Sequence, residues 1–487
     1  MPSEDRNHAE ETSYLNDKCV SRREFLKLAG IAGATIGVGA GLGGVVAACG
    51  GGETTTTASA ATTTTAGPTT TGPATTTAVT TAPEAGREIK VGFVDPLTGN
   101  LAAFGIPGKW CVERWGEAVA DGVVCGDGKN HPIKITVVDS QSDSNRAAQV
   151  TGDLIQNTKV DFMMAAAAPD TVNPVADQAE ANGTPCLTVD DPMEPYFFGR
   201  GGAPDKPFKW TYHLFWGFDE IGAVYYDTWN AISTNKKVGI LFPNDVDGNA
   251  YRQYFTADAL AAKGFTAIDG GAFQPMTEDF TSVISLFKKE ACEICSAVFL
   301  PPEMANFWSQ CLQQGYNPKI FQAVKSSLFP TAMEAMGTSA DGICGPHWFH
   351  PTFPYKSSLT GETCQELCDD FETRTGQQWT QPIMHYAAFE WVVDVLKRTT
   401  NVDDKEEIMT RVTETKANFV CGPVDFTVPV APGPDSKRHV PNVYVTPMWG
   451  GQWRLDPGGK WQYKLVAVVN SAAKDLKVED TLQPIKY

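Results

Sequence analysis

Residues Glu88 to Asp139 admit few folds. Ile89-Lys90-Val91-Gly92-Phe93-Val94 reads as a strand, turns through Asp95-Pro96-Leu97-Thr98-Gly99-Asn100, and enters a helix predicted from about Pro107 to Ala120. A second strand, Ile133-Lys134-Ile135-Thr136-Val137-Val138, closes on Asp139-Ser140. Strand, crossover helix and strand form the unit of a parallel sheet, because parallel neighbours cannot be joined by a tight turn. Such sheets take ligands at the carboxyl ends of their strands, where the Pro-Leu-Thr-Gly loop sits.

The alternation continues. A helix near Asn145–Gln156 precedes the apolar run Val160–Ala165, and a helix at Val172–Ala181 precedes Pro185–Val189. Short apolar runs between helical patterns fit buried parallel strands covered on both faces. A second set starts near Thr211, with strands at Val238–Phe242, Phe265–Ile268, Ala297–Leu300 and Ile320–Ala323 and helices between them. Helices at Pro382–Arg398 and Asp404–Thr413 are expected to return to the first half. Strands near Val443–Met448 and Trp461–Val469 are expected to return to the second.

This chain of motifs resembles the solute-binding proteins that serve ABC importers of branched-chain amino acids. The opening strand runs into Pro-Leu-Thr-Gly and then Ala102-Ala103-Phe104-Gly105, as in that family. Asp139–Asp143, Val160-Asp161 with Pro174-Val175-Ala176, Asn244-Asp245 with Gly248, Asp279-Phe280-Thr281 and Ala297–Leu300 extend the likeness to about Ser471. The resemblance implies an α/β fold of periplasmic binding protein type I: two doubly wound, Rossmann-like lobes joined by three crossover segments. Lobe 1 would hold residues 87–212 with about 343–421, lobe 2 about 215–340 with about 425–471, and 472–487 would be a tail. The crossovers are expected near Tyr212–Trp216, Ser339–Pro346 and Cys421–Phe426. A solute would sit in the cleft and close it.

By the same resemblance the cleft is lined by loops after the strands: Ala168, Pro169, Asp170 and Thr171, then Asp190 and Asp191, from the first lobe. The second supplies Asp247, Pro301 and Lys325, and Trp216 stands at the crossing. A helix N-terminus favours a carboxylate, and Thr171 can serve as N-cap or as solute hydroxyl. Where the family usually offers serines and an acid for the ammonium, this chain has Pro169-Asp170 and Val324-Lys325. Lys325 either draws a solute carboxylate or pairs with an acid such as Asp247 across the cleft. Trp210, Tyr212, Phe215, Trp308 and Trp348 are further aromatic candidates for pocket or core.

The N-terminus reads as an address. Ser21-Arg22-Arg23-Glu24-Phe25-Leu26-Lys27 is a twin-arginine signal, followed by a Gly/Ala-rich apolar run ending in Val46-Ala47-Ala48-Cys49. Residues 1–48 are thus a lipoprotein signal peptide, with Cys49 the lipidated residue after cleavage. Residues 49–86 are Thr-rich with almost no charge, a disordered tether spanning roughly 30 Å. The expected place is the outer face of the cytoplasmic membrane or the periplasm, with a permease and its ATPase as partners and a monomeric state. The net charge of −18 argues against nucleic acid. Ten cysteines follow Cys49, enough for up to five disulfides in an oxidising compartment; Cys111–Cys125 and Cys344 with Cys364 or Cys368 are the first pairs to consider. Neither Cys292-x-x-Cys295 nor His347-x-x-His350 has further ligands at metal spacing. No nucleophile elbow, HExxH, P-loop or dinucleotide fingerprint is present, so neither an enzyme nor a cofactor is expected. A sensory domain of the same fold, or an exported α/β enzyme, are the other readings.

Overall fold

The computed structural model describes residues 82–428 and 440–487. The signal, Cys49 and nearly all of the tether lie outside the described residues.

The first sheet is wholly parallel. Its strands are β1 (Ile89–Asp95), β2 (Ile133–Asp139), β3 (Phe162–Ala165), β4 (Cys186–Val189) and β5 (Thr211–Leu214). Helices α1 (Ala102–Ala118), α2 (Ser144–Asp153) and α3 (Pro169–Ala181) are the crossovers between them. In the second lobe α4 (Phe218–Asn230) leads to β6 (Lys237–Pro243), α5 (Val246–Tyr254), β7 (Thr266–Phe273) and α6 (Thr281–Lys289). Then come β8 (Ile294–Phe299), α7 (Pro301–Gln314), β9 (Ile320–Lys325) and β10 (Cys344–His347). Helices α8 (Cys364–Thr375) and α9 (Tyr386–Arg398) pack on the first lobe, followed by β11 (Val443–Tyr444), β12 (Met448–Leu455) and β13 (Tyr463–Ala472). The sheet orders are β11-β5-β4-β3-β1-β2 and β13-β12-β10-β9-β8-β6-β7. β1 and β2 run in register from Ile89↔Ile133 to Asp95↔Asp139.

Both orders reverse beside their first strand, at β1/β3 and at β6/β8, which opens a crevice outside the carboxyl ends there. Burial explains the strand composition: β3, β4, β5 and β8 have no exposed residue. The doubly wound, two-lobed fold is the one expected.

Several local expectations are corrected. α1 starts at Ala102 with Pro107 inside it, because buried Phe104 already anchors the first turn, its ring 5.0 Å from Phe329. The second crossing is not Ser339–Pro346: Cys344–His347 pairs with Gln452–Trp449 in the second sheet, so the chain leaves after His347. Cys421–Phe426 is no crossing either, since Gly422–Asp425 forms a hairpin with Lys416–Phe419. The third crossing follows Tyr444, because Val443 and Tyr444 add to the first sheet beside His213 and Leu214. β12, interrupted by Gly450-Gly451, escaped the sequence pattern.

Among the described residues no disulfide forms: all ten cysteines there are free and buried. The expected partners are committed elsewhere. The Cys111 thiol lies 3.9 Å from the Ile383 carbonyl, Cys125 3.7 Å from Val123, Cys344 3.4 Å from Gly342, and Cys364 3.7 Å from Tyr355 and Val420. Burial pushes the Cys125, Cys344 and Cys364 thiols up to about 12, which suits small apolar packing groups. His347 and His350 also pack, against Trp449 at 5.0 and 4.9 Å.

Candidate functional site

The loops at the two switch points face each other, and α5 of the second lobe touches α3 and the short helix Met193–Phe197 of the first. Backbone strain concentrates here. Ala167 (φ 71°), Ala168 (φ 66°), Asp190 (φ 65°) and Lys325 (φ 62°) are left-handed without being glycine. Such conformations cost of order 1–3 kcal/mol each and persist only where the surroundings impose them.

On the first lobe, Ala168 is the residue before α3 and Pro169 its first residue; Asp170 sits in the first turn. Thr171 is not the cap: its hydroxyl is buried 3.1 Å from that of Ser140. The Ala168 N–H donates to the Asp190 carbonyl at 2.8 Å, tying the loop after β3 to the loop after β4. Asp190 commits its carboxylate to His385 Nε2 at 2.6 Å. Asp191 does the opposite. It is fully buried and neither carboxylate oxygen has a partner, while its backbone carbonyl lies 2.6 Å from His213 Nε2. Burial holds His213 neutral, lowered to about 3, so Nε2–H donates to Asp191 and Nδ1 accepts from the Thr188 hydroxyl at 2.8 Å.

On the second lobe, Lys325 at the end of β9 lies 2.8 Å from Asp247 in the first turn of α5. Both are almost fully buried. The pair lies within one lobe, not across the cleft as the sequence suggested. Asp247 keeps its other oxygen unpartnered. Asp245 caps α5, accepting from the Gly248 N–H at 2.7 Å. Pro301 is the first residue of α7, and Glu303 receives the Leu300 N–H at 2.8 Å, so that loop spends its acid on its own helix.

The electrostatics follow from burial. Asp191 is pushed well above the carboxylate range by desolvation, then by Asp247 and Asp170. Asp170 is raised by desolvation and by Asp245, while Lys325 pulls it down. Asp247 is likewise raised by desolvation against the pull of Lys325. Asp170 and Asp247 thus share one ammonium, already bonded to Asp247, while the cation that bears on Asp191 is Arg200.

Trp216 joins Phe215 and Trp348 in an aromatic cluster spanning the first two crossings, with centroids 4.8, 4.9 and 5.7 Å apart. Neither the Trp216 nor the Trp348 indole N–H has a partner. Trp308 is core, stacked on Phe321 at 5.0 Å, and the Tyr212 ring packs edge-on to Phe426. Trp210 is half-buried beside Gly183. His385 and His213 escaped sequence reasoning, since nothing local marks a histidine as the partner of a residue 195 positions away. Among the described residues no group of three His, Cys, Asp or Glu could hold a metal ion.

Known proteins share this architecture. A leucine-binding protein LivK of Thermotoga maritima is 16% identical, with 80% of this chain and 100% of that chain covered at a TM-score of 0.62. A solute-binding protein of an ABC transporter from Rhodopseudomonas palustris, in complex with 3,4-dihydroxybenzoic acid, is 16% identical over 80% of this chain and 99% of that one, TM-score 0.61. The branched-chain amino acid-binding LivJ of Streptococcus pneumoniae, in complex with isoleucine, gives 16%, 78%, 99% and 0.58. A family model for periplasmic binding proteins matches residues 88–447. With two type I lobes, a charged cleft between them and that match over most of its length, the chain belongs to the periplasmic binding protein family, extracytoplasmic solute-binding proteins rather than enzymes.

Proposed function

We propose that this chain captures a small amino-acid-like solute outside the cytoplasm and delivers it to the permease of an ABC importer. The observation that carries the solute class is Asp191: a fully buried carboxylate with both oxygens unpartnered, within electrostatic reach of Asp247, whose own partner is Lys325. An isolated buried carboxylate is costly, and a cationic group placed against it recovers much of that cost. The ammonium of the solute therefore goes to Asp191 and the free oxygen of Asp247. Its carboxylate meets the α3 N-terminus, and its apolar part meets Trp216. A carboxylate lacking an amine gains less, because Lys325 is not an open cation.

Binding at the facing loops draws the lobes together, so the solute shifts an open–closed equilibrium without being altered. The twin-arginine signal and the Ala48-Cys49 junction support export and a lipid anchor on Cys49, with the tether, expected over residues 49–86, ending before Glu84, because Glu84 and Gly86 pair with Asn130. A thermal-shift panel of aliphatic and aromatic amino acids, amides and amine-free carboxylates tests the solute class. A ligand at a hundred times its Kd adds about 2.7 kcal/mol of stability. Amino acids are expected to raise the melting temperature; a response confined to amine-free carboxylates contradicts the reading. Cys49→Ala is expected to move the protein from the membrane to the soluble fraction.

A further inference from the structure

The first lobe carries a second buried polar set that the solute reading does not use. His385 ends the turn Gln381–His385 ahead of α9 and is fully buried. Its Nε2 meets Asp190 at 2.6 Å, while Nδ1 has no partner. Asp95, at the end of β1, is fully buried with neither oxygen bonded, and Gly108 of α1 covers it so closely that a Cβ there would come 1.9 Å from its Oδ2. His385, Asp190, Asp139 and Lys109 all lie within electrostatic reach of Asp95, and Cys111 adjoins it.

Asp190 is strained, and what it holds is the solute loop. It sits at φ 65°, its carbonyl receives the Ala168 N–H, and its neighbour Asp191 is the open carboxylate. Ala167 and Ala168, also left-handed, lead directly into Asp170. No glycine is present to relax either loop, so the strain must be met by contacts. The His385 bond is the side-chain contact that secures Asp190, and it comes from the segment that returns from the second lobe.

We propose that His385 is a positioning residue of the solute site. Through Asp190 it fixes the left-handed pair Ala167–Ala168 and the pose of Asp191, without touching solute. The inference rests on reading Ala168, Asp170 and Asp191 as solute contacts, but its test needs no solute and so fails or succeeds separately from that reading.

The test is hydrogen exchange of the full chain carrying His385→Leu or His385→Gln. Leucine fills the space without a donor; a glutamine amide can still donate to Asp190. The Ala168 amide is expected to exchange at least tenfold faster in His385→Leu and to recover most of its protection in His385→Gln, with the β8 amides unchanged in both. Equal behaviour of the two variants, or an acceleration shared with β8, overturns the proposal. Should His385→Leu not fold, proton NMR of the unsubstituted chain decides. A ring N–H held against a buried carboxylate exchanges slowly and gives a downfield resonance that His385→Gln lacks; no such resonance overturns it.

Discussion

The Lys325 ammonium at the end of β9 lies 2.8 Å from Asp247 in the first turn of α5, both almost fully buried within one lobe. Removing either partner strands a charge in the interior, at about 3–5 kcal/mol. Lys325→Met and Asp247→Leu are each expected to lower stability by that order. The double variant Lys325→Met/Asp247→Leu should lose much less than their sum, because apolar replacement of a buried pair is often neutral. A denaturant double-mutant cycle checks this; additive losses contradict the pairing.

Asp191 behaves differently. Its unpartnered carboxyl is a cost in the solute-free protein that an equally unpartnered amide does not relieve, so Asp191→Asn is expected to change stability by less than about 1 kcal/mol while abolishing the solute-induced shift. Melting curves with and without the amino-acid panel separate the two effects.

Stability should fall as pH rises from 6.5 to 8. Burial raises Asp95, Glu220 and Glu390 to about 7 and Glu194 to about 8, from the ordinary range near 4. The folded chain therefore holds protons that the unfolded chain has released, and stability is lost as pH climbs through those values. Burial lowers His213 and His347 to about 3 and His350 to about 4. Those rings oppose the trend only below their unfolded value of 6.5, where the unfolded chain takes up protons that the folded chain refuses. Glu194 accepts the Phe218 N–H at 2.9 Å and so caps α4 from the other lobe. Denaturant midpoints at pH 6.5 and 8 should show the fall, and Glu194→Gln should lessen it.

The ten buried thiols predict that reductant leaves the melting temperature unchanged. They also predict that thiol reagents react only after denaturation, since burial pushes the Cys186 thiol to about 12 and others higher. A drop of several degrees on reduction would show that bridges exist.

How much of this was legible in the sequence varies with range. The β1–α1–β2 unit, the Asp245–Asp247 loop and the cleft position of Asp170 follow from local pattern and resemblance. The pairing of Lys325 with Asp247 was one of two open alternatives, and its confinement to one lobe depends on sheet order. The crossings at 348 and 445 were misplaced because strands of two to four residues carry little periodic signal, and Gly450-Gly451 hides β12. Cysteine parity points to bridges, but all ten described thiols are free. His385 could not be found at all, since its role depends on Asp190 lying 195 residues earlier in the chain.

The most direct measurement is a calorimetric titration of the full chain with isoleucine, or the best amino acid of the panel, against its deaminated analogue, repeated on Asp191→Asn. The amino acid should bind at least a hundredfold more tightly than the analogue, and Asp191→Asn should erase that preference. Equal affinity for the two, or a preference that survives in Asp191→Asn, would contradict the assignment of Asp191 as the seat of the cationic group.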